Sequence, residues 1–256
     1  MIVEMKENPR ASSLYDSLSL WLFAYSCCYA FFHIIPSFLN YEIQNLFMIA
    51  DLVDLCTPFI MVFLVYKIYR SLRQTHLERF NTPVQTHVIL ILILGSITFV
   101  EGHGMHLAAN AIARHLTPNS NPSLFALDYF FDEILSHIFW DSGIILISVG
   151  IILMGINLAK TYTLRPRSIS ILFASILYGF TYFVNAVEGQ TVVFTLPVAI
   201  VLPVIIVCLS YRKDLRLLKN PVLFMFFVGY LFSVCLFLIW GIWNKGYPQF
   251  SERGWI

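Results

Sequence analysis

Seven stretches of this chain each stay apolar for about the 20 residues that an α-helix needs to cross the hydrocarbon of a bilayer. They run over 17–38, 45–69, 85–114, 124–158, 168–187, 191–211 and 220–243. Backbone in lipid must satisfy its own N–H and C=O groups, which restricts such segments to helices or closed barrels. The apolar residues come in continuous runs rather than in alternation, and that selects helices. The chain is therefore expected to be an all-α integral membrane protein, with residues 1–256 forming a single domain of seven transmembrane helices. The third and fourth runs exceed the hydrocarbon thickness and must tilt, kink or project. Asn121-Pro122-Ser123 offers a turn and a helix N-cap before the fourth. Pro58 should kink the second span, and Pro197 and Pro203 the sixth.

Only 12% of the residues are charged, about half the usual share in a soluble domain. The net charge of +1 counts against nucleic acid as a partner. Five cysteines (Cys27, Cys28, Cys56, Cys208 and Cys235) fall inside apolar runs without CxxC spacing, so buried thiols are expected rather than a disulfide framework. The first thirteen residues are polar and lack the apolar core and cleavage site of a signal peptide.

The basic residues orient the spans. Lys6 and Arg10 precede the first, and Lys67, Arg70, Arg73 and Arg79 lie between the second and third. Lys160, Arg165 and Arg167 follow the fourth, and Arg212, Lys213, Arg216 and Lys219 lie between the sixth and seventh. That puts 13 of 16 Lys and Arg on one side, with Arg114, Lys245 and Arg253 on the other. The positive-inside rule then predicts a cytoplasmic N-terminus and an extracytoplasmic C-terminus. An odd number of spans requires the same arrangement.

Ionisable side chains inside such spans are costly and survive where they meet a partner, a cavity or an ion. This chain has eleven: His33, Asp51, Asp54, Glu101, His103, His106, Asp132, Glu133, His137, Asp141 and Glu188. On the predicted topology all of them fall in the outer half of the membrane. A site built from them would open to the periplasm, a lumen or the exterior.

Two spans carry the clearest spacing. In the fourth, Glu133, His137 and Asp141 recur every four residues and so lie within about 40° steps along one helical stripe. Asp128, Asp132 and Ser136 form a neighbouring stripe. In the third, His103, His106 and Asn110 lie within about 60° of one another. Glu101 points away from them on a regular helix, although Gly102 and Gly104 could permit a distortion that brings it round. A short loop joins these spans and makes them antiparallel neighbours. In the second, Asp51 and Asp54 share a face. His33 alone reads as an interhelical hydrogen-bonding residue, and Glu188 as a solvated turn residue. Tyr129, Phe130, Phe131 and Trp140 read as packing or interface anchors. Trp240 and Trp243 fit an interfacial belt.

Facing imidazoles and carboxylates suit a divalent metal, with zinc favoured and iron possible. The expected ligands are His103, His106, Glu133, His137, Asp141 and Glu101. Asp132, Asp54 and Asp51 are the expected acid–base groups. The leading expectation is a metal-dependent hydrolase acting on a membrane lipid or an amphiphilic small molecule, through a water ionised by the metal. A non-haem iron oxidoreductase would use the same ligands. An ion- or proton-coupled transporter is the main alternative, and a sensor or assembly subunit a third. The plan of seven spans around intramembrane His and Asp is similar to that of membrane metallohydrolases such as alkaline ceramidases and the adiponectin-receptor group. Those families carry a His-x-x-x-His pair in the last span, where this chain has no histidine. The likeness is one of architecture and lends no residue assignment.

Overall fold

A computed structural model describes residues 9–39, 41–44, 47–75, 82–117, 119, 121–158, 168–215 and 217–255. The described chain is mostly helical, with one small two-stranded hairpin. Helix α1 covers Pro9–Ile34, α2 Ile49–Thr75, α3 Thr82–Ala113 and α4 Pro122–Tyr129. Helix α5 covers Ser136–Leu158, α6 Ser168–Glu188, α7 Val192–Arg212 and α8 Pro221–Asn244. A π-helical segment, Phe130–Leu135, joins α4 to α5 and makes one continuous rod of them. Counting that rod once, seven helices are long and apolar enough to cross a membrane.

The helix starts follow local chemistry. Asn121 caps α4 by accepting the Leu124 N–H at 3.1 Å, with Pro122 next in the chain, as its sequence predicts. Asn220 caps α8 by accepting from Val222 and Leu223, and its amide donates to Gly155 O at 2.8 Å, tying α8 to α5. The start of α2 departs from expectation. Phe47–Met48, expected inside the second span, forms a strand (β2) that pairs antiparallel with β1, Glu42–Gln44. The Met48 N–H donates to the Asp51 carboxylate at 2.7 Å, and Ile49 N–H to Tyr41 O at 2.9 Å, so the helix begins only after the hairpin closes.

Two helix pairs approach closely because glycine removes the side chain between them. A Cβ on Gly102 of α3 would lie 2.6 Å from both Ser136 O and Trp140 N, and one on Gly143 of α5 would lie 2.6 Å from Phe99 N. In α6 and α8, Gly179 meets the Gly229 backbone in the same way, and Ser233 Oγ donates across to Gly179 O at 2.8 Å. Small residues at a crossing are the usual route to tight packing of membrane helices. The interior next to the α6–α8 crossing holds five buried tyrosines: Tyr25, Tyr29, Tyr178, Tyr182 and Tyr230.

The cysteines are not core thiols. Cys27 and Cys28 are half-buried, while Cys56, Cys208 and Cys235 are exposed on the outside of the bundle. An apolar run does not separate a helix's core face from its outer face when both are apolar, so the sequence could not tell these positions apart. Trp243 is exposed as an interfacial residue would be. Trp240 is instead buried against Phe250, with ring centres 4.5 Å apart, and donates Nε1–H to Pro248 O at 3.0 Å.

Replacing Gly102 by Leu should lower the thermal midpoint of the detergent-solubilised protein, through an overpacking cost of about 3 kcal/mol. Gly104→Leu, two residues along where an added Cβ meets nothing within 4 Å, should leave the midpoint unchanged.

Candidate functional site

The close α3–α5 crossing sets His106 of α3 against the fourth span at the end of the bundle where α1 finishes and α2 begins. A cavity of about 280 Å³ opens there. Its ionisable lining is His33 from α1, Asp54 from α2, His106 from α3, Glu133 from the π segment, His137 from α5 and Glu188 from α6. Six of the eleven intramembrane ionisable groups therefore share one chamber.

The π segment explains how the fourth span can turn two adjacent carboxylates inward. Ser136 N–H donates to Phe131 O, five residues back, so this turn is wider than an α turn. Asp132 is buried and Glu133 lines the cavity, while Phe130 and Phe131 face outward. Sequence reasoning allows a distortion on the third span at Gly102 and Gly104, but α3 is regular helix through both. The distortion lies in its partner. Glu101 accordingly stays on the exposed side of α3, away from the chamber, and the ligand role expected for it has no geometric support.

His106 and Asp132 form the central contact, with Nδ1 2.7 Å from Oδ1. Asn110 Nδ2 lies 3.1 Å from His106 Nε2. The carboxylate beside Nδ1 favours the proton on that nitrogen, although the pair falls outside hydrogen-bond geometry, and Nε2 then accepts from the Asn110 amide. A general-base or metal-ligand role at Nε2 would require that amide to turn away. His137 faces His106 with ring centres 5.6 Å apart. The turn between α6 and α7 holds His137 from the other side: Gly189 packs so closely on this imidazole that a Cβ there would overlap the ring.

Trp140 organises the histidines. It stacks parallel on His137 at 5.4 Å and lies 3.7 Å from His103 and 4.3 Å from His33, all between ring centres. The indole thus stands beside His103 and keeps that ring off the chamber wall. His103 lines a separate furrow between α2 and α3. Among the described residues, no hydrogen-bond partner stands at either His103 nitrogen, at His137 Nδ1 or at Trp140 Nε1.

Two expected site residues, Asp51 and Asp141, serve as ties instead. Asp51 pairs with Arg114, Oδ1 and Oδ2 lying 2.7 and 2.6 Å from the guanidinium, and caps α2 besides. This bond to Asp51 raises the Arg114 pKa above its ordinary value. Asp141 is fully buried and accepts from Asn185 Nδ2 at 2.5 Å and from the Thr191 hydroxyl, fastening α5 to α6 and to the start of α7. Neither lines the chamber. The Glu188 carboxylate does line it and accepts the Phe250 N–H at 2.8 Å, while its backbone oxygen accepts from Gln249 Nε2 at 2.5 Å. These bonds fold the segment after α8 back over the chamber and bring Ser251 into its wall.

The sequence reading missed the central place of Trp140, the contribution of Asn185 and the returning C-terminal segment. Only an aromatic every turn beside the histidines signalled the first, and nothing local signalled the other two.

Among the described residues no three His, Cys, Asp or Glu side chains converge as a ready-made metal site. The groups able to share an ion are His106, His137 and Glu133. Two imidazoles at Zn–N distances of about 2.0–2.1 Å have ring centres roughly 5 Å apart, against 5.6 Å between His106 and His137.

Arg114→Ala should destabilise the protein by on the order of 3 kcal/mol, because it strands the buried Asp51 carboxylate. Asp51→Asn in the same background should recover part of that loss in a thermal unfolding series.

Comparison with protein-family models, with curated proteins and with solved structures finds no match to this chain.

Proposed function

We propose that this chain is a multi-pass membrane enzyme, a metal-dependent hydrolase of a lipid or amphiphile. Its N-terminus is cytoplasmic, and its chamber lies in the outer half of the bilayer and opens to the extracytoplasmic side. The observation that carries the reading is the His106–His137 pair facing one cavity, with Asp132 holding His106 from behind. His106, His137 and Glu133 would hold the ion, zinc by preference. The expected ligand set thereby loses His103, Asp141 and Glu101, which lie elsewhere. A divalent ion there would supply water ionised near neutral pH. Asp54, on the same wall, is the carboxylate left to take up the proton. Asp132 is a positioning residue that fixes the His106 tautomer. The same ligands would also suit iron and redox chemistry.

A second reading, ion or proton transport, draws on the buried tyrosines. Tyr29 meets the His33 ring edge-on at 4.4 Å, and the Tyr178 hydroxyl lies 3.0 Å from that of Tyr230 and 2.7 Å from Ser148 Oγ. Polar groups thus continue from the chamber toward the middle of the bundle. The hydrolase is preferred because six ionisable groups gather on one cavity rather than spacing themselves along a path.

Metal analysis and lipid turnover test the proposal together. The purified protein should carry a stoichiometric divalent ion that is lost in the His106→Ala/His137→Ala double variant. A lipid panel should be hydrolysed by the wild type and protected by a chelator. Metal retained in the double variant would overturn the ligand assignment. Ion flux into proteoliposomes without chemical change would overturn the enzyme.

A further inference from the structure

We propose that the furrow between α2 and α3 is the acyl-chain subsite of the chamber, holding one hydrocarbon chain with its carbonyl end at His103 and Asp54. This rests on the reading of the chamber as a site for an amphiphile, and it adds the substrate's shape and its side of entry.

The furrow has a volume of about 320 Å³, within the range of pockets that hold small ligands, roughly 300–1,000 Å³. Its walls are Leu55, Pro58, Phe59, Val62, Val100 and Leu107. Leu55 is 44% and Phe59 74% exposed, so the rim faces outward along helices that are long and apolar enough to span a bilayer. A water-soluble molecule gains nothing from such a wall, whereas a lipid chain moves onto it sideways from the membrane.

Two features separate this furrow from an ordinary lipid-facing groove. Among the described residues its polar side chains are Asp54 and His103, and Asp54 also lines the chamber, so the two spaces share a wall at this residue. His103 is 2% exposed, its ring is held 4.7 Å from Phe99 and 3.7 Å from Trp140, and neither nitrogen has a hydrogen-bond partner among the described residues. A buried donor left unmade is costly. An ester or amide carbonyl at the head of an acyl chain would accept from it. The bond to be broken would then sit at the head of the furrow beside Asp54, the side chain it shares with the chamber, with the hydrocarbon pointing outward. Gly104 lines the furrow with open space above it, since an added Cβ would meet no atom within 4 Å. Position 104 can therefore be filled without disturbing the packing.

The test is photolabelling of the full chain in phosphatidylcholine vesicles doped with a phosphatidylcholine that bears a diazirine on the acyl carbons next to its ester carbonyl. Peptide mapping should find adducts on Asp54 or His103. These should fall at least tenfold in Gly104→Trp, fall by less in Gly104→Leu, and stay unchanged in Leu94→Trp, which adds the same bulk at an exposed position of α3 outside the furrow. The Leu variant carries the test if the Trp variant does not fold. Absence of adducts at both residues, or adducts undiminished by filling position 104, would overturn the subsite. Labelling needs neither bound metal nor turnover. Adducts without hydrolysis would therefore remove the enzyme and keep the furrow, while hydrolysis indifferent to Gly104→Trp would remove the furrow and keep the enzyme.

Discussion

The contact between α3 and the fourth span underlies everything at the chamber. With no side chain at Gly102 or Gly143, the two backbones touch, and Trp140 and Ser136 rest directly on α3. Any larger residue at either position would wedge the helices apart. The His106–Asp132 contact, at 2.7 Å, has no slack to follow such a movement. The chemistry of the site is therefore set by the absence of two side chains as much as by the presence of its polar ones.

The intramembrane carboxylates divide by what they touch. The oxygens of Asp51 and Asp141 are taken up by Arg114, Met48, Asn185 and Thr191, and all of these bonds except the local one to Met48 join residues far apart in sequence. Asp54 and Glu133 line the cavity, and Asp132 is held on His106. A buried charge is tolerated when it is paired and hydrogen-bonded. Groups that face a shared cavity without such partners are the ones free to act on something else. Trp140 makes a similar division among the imidazoles by taking His103 off the chamber wall and leaving it at the furrow.

Much of this was legible in the chain itself. Runs of about 20 apolar residues mark the seven helices because lipid leaves the backbone few other choices. The gathering of acidic and imidazole groups at one end follows from their positions along alternating spans. What could not be read is the detail that depends on distant partners or on helix type. Hydropathy does not distinguish an α turn from the wider turn at Phe130–Leu135, so the inward rotation of Asp132 beside Glu133 was hidden. The fates of Asp51 and Asp141 depend on Arg114 and Asn185, which are 63 and 44 residues away. The first turn expected of α2 became a strand because Met48 bonds to Asp51 and Tyr41 to Ile49.

The returning segment after α8 has a consequence for biosynthesis. Glu188 is made and inserted well before Phe250 and Ser251, whose N–H groups it accepts. Until those residues leave the ribosome, the nascent bundle carries a chamber with one side missing. Closure of the pocket on that side thus waits for the segment after α8 to fold back onto Glu188.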